Sequence, residues 1–114
     1  MPVTLKSFIE TIEGKVLTPS VDIENIIVND GYVSDLLSDV MGNAKENQVW
    51  ITIMKHLNSI AVASLVNIPC IIFAKDTMPE QEVIKKAEEE NICLVSSSQS
   101  SFTIAGELYL MLNK

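Results

Sequence analysis

The sequence predicts an α/β fold: a small parallel or mixed sheet with helices on both faces. Three features predict it. From residue 48 onward, strand-like runs alternate with helix-like segments. Two of those runs, PCIIFA (69–74) and ICLVS (92–96), are continuously apolar, as in strands covered on both faces. The connections are short, and a strand–helix–strand order with short links implies right-handed crossovers between parallel neighbours.

Each element follows from its own residues. Residues 4–13 (TLKSFIETIE) space Leu5, Phe8, Ile9 and Ile12 as one face of a helix. Thr4 can cap its start and Gly14 can stop it. KVLT (15–18) is a short strand ended by Pro19. ENIIVND (24–30) is a second, β-branched strand, and Asp30-Gly31 marks a turn. VSDLLSDVMGNAK (33–45) sets Val33, Leu36, Leu37, Val40 and Met41 in one helical stripe, with Ser34 or Asp35 placed to cap it.

QVWITIM (48–54) is a strand. NSIAVASLVN (58–67) is a short helix, apolar nearly all round, as expected of a helix buried on more than one side. MPEQEVIKKAEEEN (78–91) reads as a surface helix with Pro79 in its first turn, acids early, and only Val83, Ile84 and Ala87 turned inward. SSFTIAGELYLMLNK (100–114) is a further helix, with Phe102, Ala105, Leu108 and Leu112 on one face. No repeat or linker interrupts the order, so residues 1–114 are expected to form a single domain.

Composition narrows the function. At 47% hydrophobic and 20% charged, the 114 residues can build a core. The net charge is −7, and every basic residue is a lysine. Nucleic-acid binders need a basic footprint and lean on arginine for bidentate readout, so no nucleic acid is expected as partner. The same balance argues against an anionic membrane surface. No apolar run reaches the roughly 18–20 residues of a membrane span, and no signal peptide is evident, so a cytoplasmic location is expected. Cys70 and Cys93 stand alone in apolar runs, without a CxxC or Cys/His pattern. They read as buried strand thiols, with no metal and no redox motif.

The catalytic motifs are missing. EGKV (13–16) holds a Gly-Lys pair, but no glycine stands five residues before Gly14 and no Ser or Thr follows, so it is no P-loop. GxGxxG, HExxH, GxSxG and the EF-hand loop are absent. The only histidine, His56, sits in MKHLNS without a nucleophile elbow. Asp35 and Asp39 fall at i, i+4 and read as a solvated helix face. No cofactor is expected, and no enzyme.

What remains is geometric. In an open α/β sheet, ligands bind outside the carboxyl ends of the strands. Those ends are polar here. One carries Thr52, Lys55, His56, Asn58 and Ser59, the next Asp76 and Thr77, the third Ser96, Ser97 and Ser98. If the strands at 49–54, 70–74 and 92–96 are parallel neighbours, these residues share one rim, suited to a small anionic ligand such as a nucleotide or phosphorylated metabolite. The same residue types also serve as ordinary helix caps. The all-round apolar helix suggests a homodimer through Ile60, Ala63 and Val66, joined by Leu37, Met41 and Trp50.

The segment from VSDLLSDVM through NSIAVAS and CIIFAKD to SSFTIAGEL resembles the DRTGG domain family, whose members are similar to the N-terminal domain of HPr kinase/phosphatase. The likeness spans essentially the whole chain, and its motifs carry fold more than chemistry. It implies an HPr-kinase N-terminal-domain-like α/β fold and a regulatory or assembly role, often dimeric, with no kinase activity. Where many members have a Thr-Gly-Gly-like turn after the strand matching CIIFA, this chain has Ala74-Lys75-Asp76.

Overall fold

The computed structural model describes residues 2–114. In chain order the elements are β1 (Val3–Thr4), α1 (Leu5–Thr11), β2 (Lys15–Val16), β3 (Ile27–Val28), β4 (Gly31–Val33), α2 (Leu37–Asn43), β5 (Val49–Thr52), α3 (Leu57–Val66), β6 (Cys70–Phe73), α4 (Gln81–Glu89), β7 (Cys93–Ser96) and α5 (Ser101–Leu112). The main sheet has five strands in the order β2-β7-β6-β5-β4. β4, β5, β6 and β7 run parallel, and β2 closes one edge antiparallel to β7. The sheet is therefore mixed, and the α/β expectation holds. β1 and β3 form a separate antiparallel ribbon, with Val3 opposite Val28.

The strands alternate their side chains between two buried layers, which is why their sequences read as unbroken apolar runs. Val49, Ile51, Cys70, Ile72, Cys93 and Val95 face the layer made with α1 and α5. Trp50, Ile71, Phe73 and Leu94 face the layer made with α2, α3 and α4. Cys70 and Cys93 are register partners across β6 and β7, both buried and free, as expected from their runs. Burial pushes the Cys70 thiol up from its ordinary value.

Local chemistry explains the helix ends. The Thr4 hydroxyl accepts from the Ser7 N–H at 3.0 Å and caps α1, a contact that contributes about 1 kcal/mol. Ser100 does the same for α5 through the Thr103 N–H at 3.1 Å. The all-round apolar helix α3 lies between α2 and α4 as well as on the sheet. Ile60, Val62 and Ala63 are buried by these neighbours, while Leu57 and Leu65 stay exposed, at 45% and 66%.

Several expectations are corrected. The helix expected from residue 33 begins at Leu37, and Val33 lies in β4 instead. Gly31 starts that strand rather than completing a turn. Neither Ser34 nor Asp35 caps α2; Leu36 stands at the cap position without a side-chain bond. Asp35 is outside the helix because its carboxylate is engaged by the end of β5. Pro79 precedes the Glu80 cap of α4 rather than entering its first turn. In α5 the buried residues are Ile104 and Leu108, and Phe102 points outward, 87% exposed. No helix among the described residues is long and apolar enough to cross a membrane.

Candidate functional site

The carboxyl ends of β5, β6 and β7 are flush. Thr52 pairs with Phe73, and Phe73 with Ser96. The loops that follow therefore share one rim, as the sequence suggested. Their polar residues divide between those that build the rim and those that face outward from it, and Ser96 does both.

The builders are four hydroxyls. Thr52 is fully buried and donates to Asp35 Oδ1 at 2.8 Å. Ser59 is buried and donates to the Met54 carbonyl at 2.8 Å. Ser96 donates to the Thr77 carbonyl at 3.0 Å, and Ser97 to the Ile12 carbonyl at 2.7 Å. These bonds stitch β5 to its loop, β7 to the turn after β6, and β7 to the end of α1. A hydroxyl spent on a buried carbonyl is costly to redirect to a ligand.

The turn after β6 is a tight one. Lys75 and Asp76 both adopt left-handed φ, 58° and 56°, and the Thr77 N–H closes the turn on the Ala74 carbonyl at 3.1 Å. The Lys75 and Asp76 N–H groups donate to the Gln99 and Ser97 carbonyls, both at 2.9 Å. Two successive left-handed residues form the backbone of a type I′ turn, which glycine fits best. This is where the resemblance placed a glycine pair, so the backbone geometry is present without its usual residues.

The outward groups fall into two clefts. Lys55 and His56 face Glu80, Glu82 and Val83 across a cleft of about 160 Å³. Asp76 and Ser98 line a larger one of about 520 Å³ together with Glu13, Lys15, Met78 and the builder Ser96, whose hydroxyl is already given to the Thr77 carbonyl. Asn58 is exposed and lines neither cleft; Thr77 is half-buried. Sequence reading missed Glu13, Lys15, Met78, Glu80 and Glu82. Glu13 and Lys15 arrive from the far edge of the sheet, where Lys15 pairs with Ser96. Among the described residues, no group of three or more His, Cys, Asp and Glu is placed to hold a metal ion.

The expected dimer residues are placed less favourably. Trp50, Ile60 and Ala63 are fully buried inside the protomer, so they offer no surface to a partner. Leu37 and Val66 are half-buried, and Met41 is 49% exposed.

A comparison with curated proteins finds no match. Among solved structures, one similar chain is described as the CBS and DRTGG domains of the regulatory region of Clostridium perfringens pyrophosphatase, complexed with the activator diadenosine tetraphosphate. The two share 16% identity and a TM-score of 0.75 over 93% of this chain and 46% of that one. The present chain thus spans about half the length of that structure, and the likeness is one of fold. Residues 52–112, which run from the end of β5 through the flush rim to the last turn of α5, match the family described as HPr Serine kinase N terminus, and the chain belongs to that family.

Proposed function

We propose that this chain is a non-enzymatic regulatory module that forms a homodimer and senses a small, phosphate-bearing ligand at the carboxyl rim of its parallel strands. The observation that carries the reading is the cleft of about 520 Å³ formed by Glu13, Lys15, Asp76, Met78, Ser96 and Ser98. Small-molecule sites run from roughly 300 to 1,000 Å³. The cleft at His56, at about 160 Å³, is below that range.

The chemistry of the larger cleft favours one class of ligand. Lys15 supplies a cation for phosphate, and Ser98 an exposed hydroxyl. Glu13 and Asp76 accept hydrogen bonds, so the ligand must carry donors as well as negative charge. A nucleotide or phosphorylated sugar has both. The fold likeness to a regulatory region that binds a dinucleotide activator agrees with this reading. His56 has two glutamates but no nucleophile beside it, which supports a binding role over a catalytic one.

A thermal-shift series with millimolar mono- and dinucleotides and phosphorylated sugars tests this. Binding to the folded state alone should raise the melting temperature by several degrees at ligand concentrations about 100-fold above the dissociation constant. Lys15→Ala should abolish the shift and Lys55→Ala should leave it. No shift with any member of the series would defeat the sensing role. A shift lost in Lys55→Ala instead would move the site to the His56 cleft.

A further inference from the structure

Helix α5 carries three of the four most exposed large apolar side chains among the described residues, Phe102, Tyr109 and Leu110. Its exposed residues within Ser101–Leu112 are Phe102, Thr103, Gly106, Tyr109 and Leu110, and none of them is charged. The contrast with α4 is direct. There the exposed positions are Gln81, Glu82, Lys85, Lys86 and Glu89, in a chain whose charged residues are 20% of the total. The exposed positions of α2 and α3 are uncharged as well, and what sets α5 apart is the size of the apolar groups it leaves in water.

Gly106 sharpens the point. Mid-helix glycine costs about 0.5–1 kcal/mol relative to alanine, so it needs a reason. None exists inside the protomer, because a Cβ at Gly106 would meet nothing within 4 Å. Phe102, one turn before it, is 87% exposed; Tyr109 and Leu110, one turn after it, are 68% and 64% exposed. The result is a notch with a bulky apolar side chain at either end, all on one stripe at helical spacing.

We infer that this face is a self-association surface, on which α5 of a second copy crosses so that Phe102 of each copy seats over Gly106 of the other. Three features select a second copy as the occupant. Knob and hole lie on the same stripe, four residues apart, so a two-fold axis between them satisfies both at once. The face is neutral on a protein of net charge −7, which lets two like-charged copies meet where they do not repel; a foreign partner would be steered by the acids instead.

The area also suits a dimer. With aromatic side chains worth about 150–250 Å² each, Phe102, Tyr109 and Leu110 expose roughly 400 Å², about half of one partner's share of a standard interface. The groove beside them, apolar along Val33, Ile51, Leu108, Tyr109 and Leu112 and carrying one acid, Asp30, at its edge, extends the patch.

This inference rests on the homodimer reading above, and it moves the contact from the α2–α3 side to α5. Light scattering on size-exclusion peaks over a wide concentration range tests both. The wild-type chain should dimerise. Phe102→Glu should raise the dimer dissociation constant roughly 30-fold or more, as loss of an interface hot spot does. Gly106→Leu should weaken the dimer while raising the melting temperature of the monomer, opposite signs that a purely structural residue would not give. Met41→Glu should leave the dimer intact. A wild-type chain that stays monomeric throughout would overturn the homodimer reading and this surface together. A dimer that survives both Phe102→Glu and Tyr109→Glu would overturn the surface alone, and loss only in Met41→Glu would return it to α2 and α3.

Discussion

The carboxylate of Asp35 accepts two hydrogen bonds at the end of β5, from the Thr52 hydroxyl at 2.8 Å and from the Ile53 N–H at 3.0 Å. Thr52 is fully buried, whereas Asp35 is exposed. The two partners are therefore unequal. Asp35→Ala should cost about 1.5–3 kcal/mol, because it removes a charged acceptor and leaves a buried donor unpaired. Thr52→Val should cost less, since the carboxylate it frees is still wetted by solvent and the one donor it strands, the Met54 N–H that reaches Thr52 Oγ1 at 3.0 Å, is only half-buried. Urea denaturation of the two variants checks the order, and equal losses would mean that stranding the Met54 N–H costs as much as leaving the Thr52 hydroxyl unpaired.

Gly14 stops α1, but not by taking the left-handed conformation that usually suits glycine there. Glu13 takes it, with φ 54°, and no glycine of the chain has positive φ. Gly14 is required by closeness instead: a Cβ there would lie 2.6 Å from Val95 Cγ1 and 3.2 Å from Ile9 Cγ2. Both neighbours belong to the buried layer under α1. Gly14→Ala should destabilise by roughly 1–3 kcal/mol, the range for overpacking a filled core. An unchanged urea midpoint would show that Val95 can turn away freely.

The turn at Lys75 and Asp76 stores a cost that can be removed. A left-handed conformation costs a non-glycine residue about 1–2 kcal/mol, and glycine at the same place returns about 0.4–1 kcal/mol of that as extra freedom of the unfolded chain. The balance favours glycine, so Lys75→Gly and Asp76→Gly should each stabilise by about 0.5 kcal/mol. The Thr77–Ala74 backbone bond at 3.1 Å keeps the turn closed in either case. Because Asp76 lines the large cleft, only Lys75→Gly should stabilise without touching ligand binding.

These cases show what was legible in the sequence. The parallel strands β5, β6 and β7 were, because a strand covered on both faces needs an unbroken apolar run. β1 and β4 were not: they are two and three residues long, and β4 opens on a glycine. Asp35 looked like a helix cap, and only the buried Thr52 across the sheet explains why it is elsewhere. In α5 either of two apolar faces could have been the inner one, since periodicity fixes a face but not its direction. Lys15 joins the rim through antiparallel pairing with Ser96, a relation across some eighty positions that no local pattern encodes. The place of the rim was readable, then, but the lysine of its larger cleft was not.

The Tyr32 hydroxyl lies 2.9 Å from both carboxylate oxygens of Asp39, and the Asn43 amide donates to the same group at 3.0 Å. This joins β4 to α2, the corner that the sequence reading took for a continuous helix. The pair titrates in opposite senses. The Ser34 and Tyr32 hydroxyls hold the Asp39 carboxyl below its ordinary value of 3.8. Loss of water around the ring, then the bond to Asp39 and its negative charge, raise the Tyr32 hydroxyl above its ordinary value of 10.0. For Asp39 the folded state holds its proton less tightly than the unfolded chain does. Its contribution is thus fully present above the ordinary carboxylate range and is lost as pH falls through the lowered value. For Tyr32 the folded state holds the proton more tightly, so its contribution is present below the ordinary phenol value and is lost as pH rises through the raised one. Tyr32→Phe removes the phenol and one donor to Asp39, and should flatten the stability profile at the alkaline end and shallow it at the acid end. Asp39→Asn should remove the Asp39 share of the acid slope and part of the alkaline one, since it takes away the charge that opposes ionisation of Tyr32. Urea midpoints measured across both windows decide the matter: parallel curves for wild type and Tyr32→Phe would mean that the contact does not persist in solution.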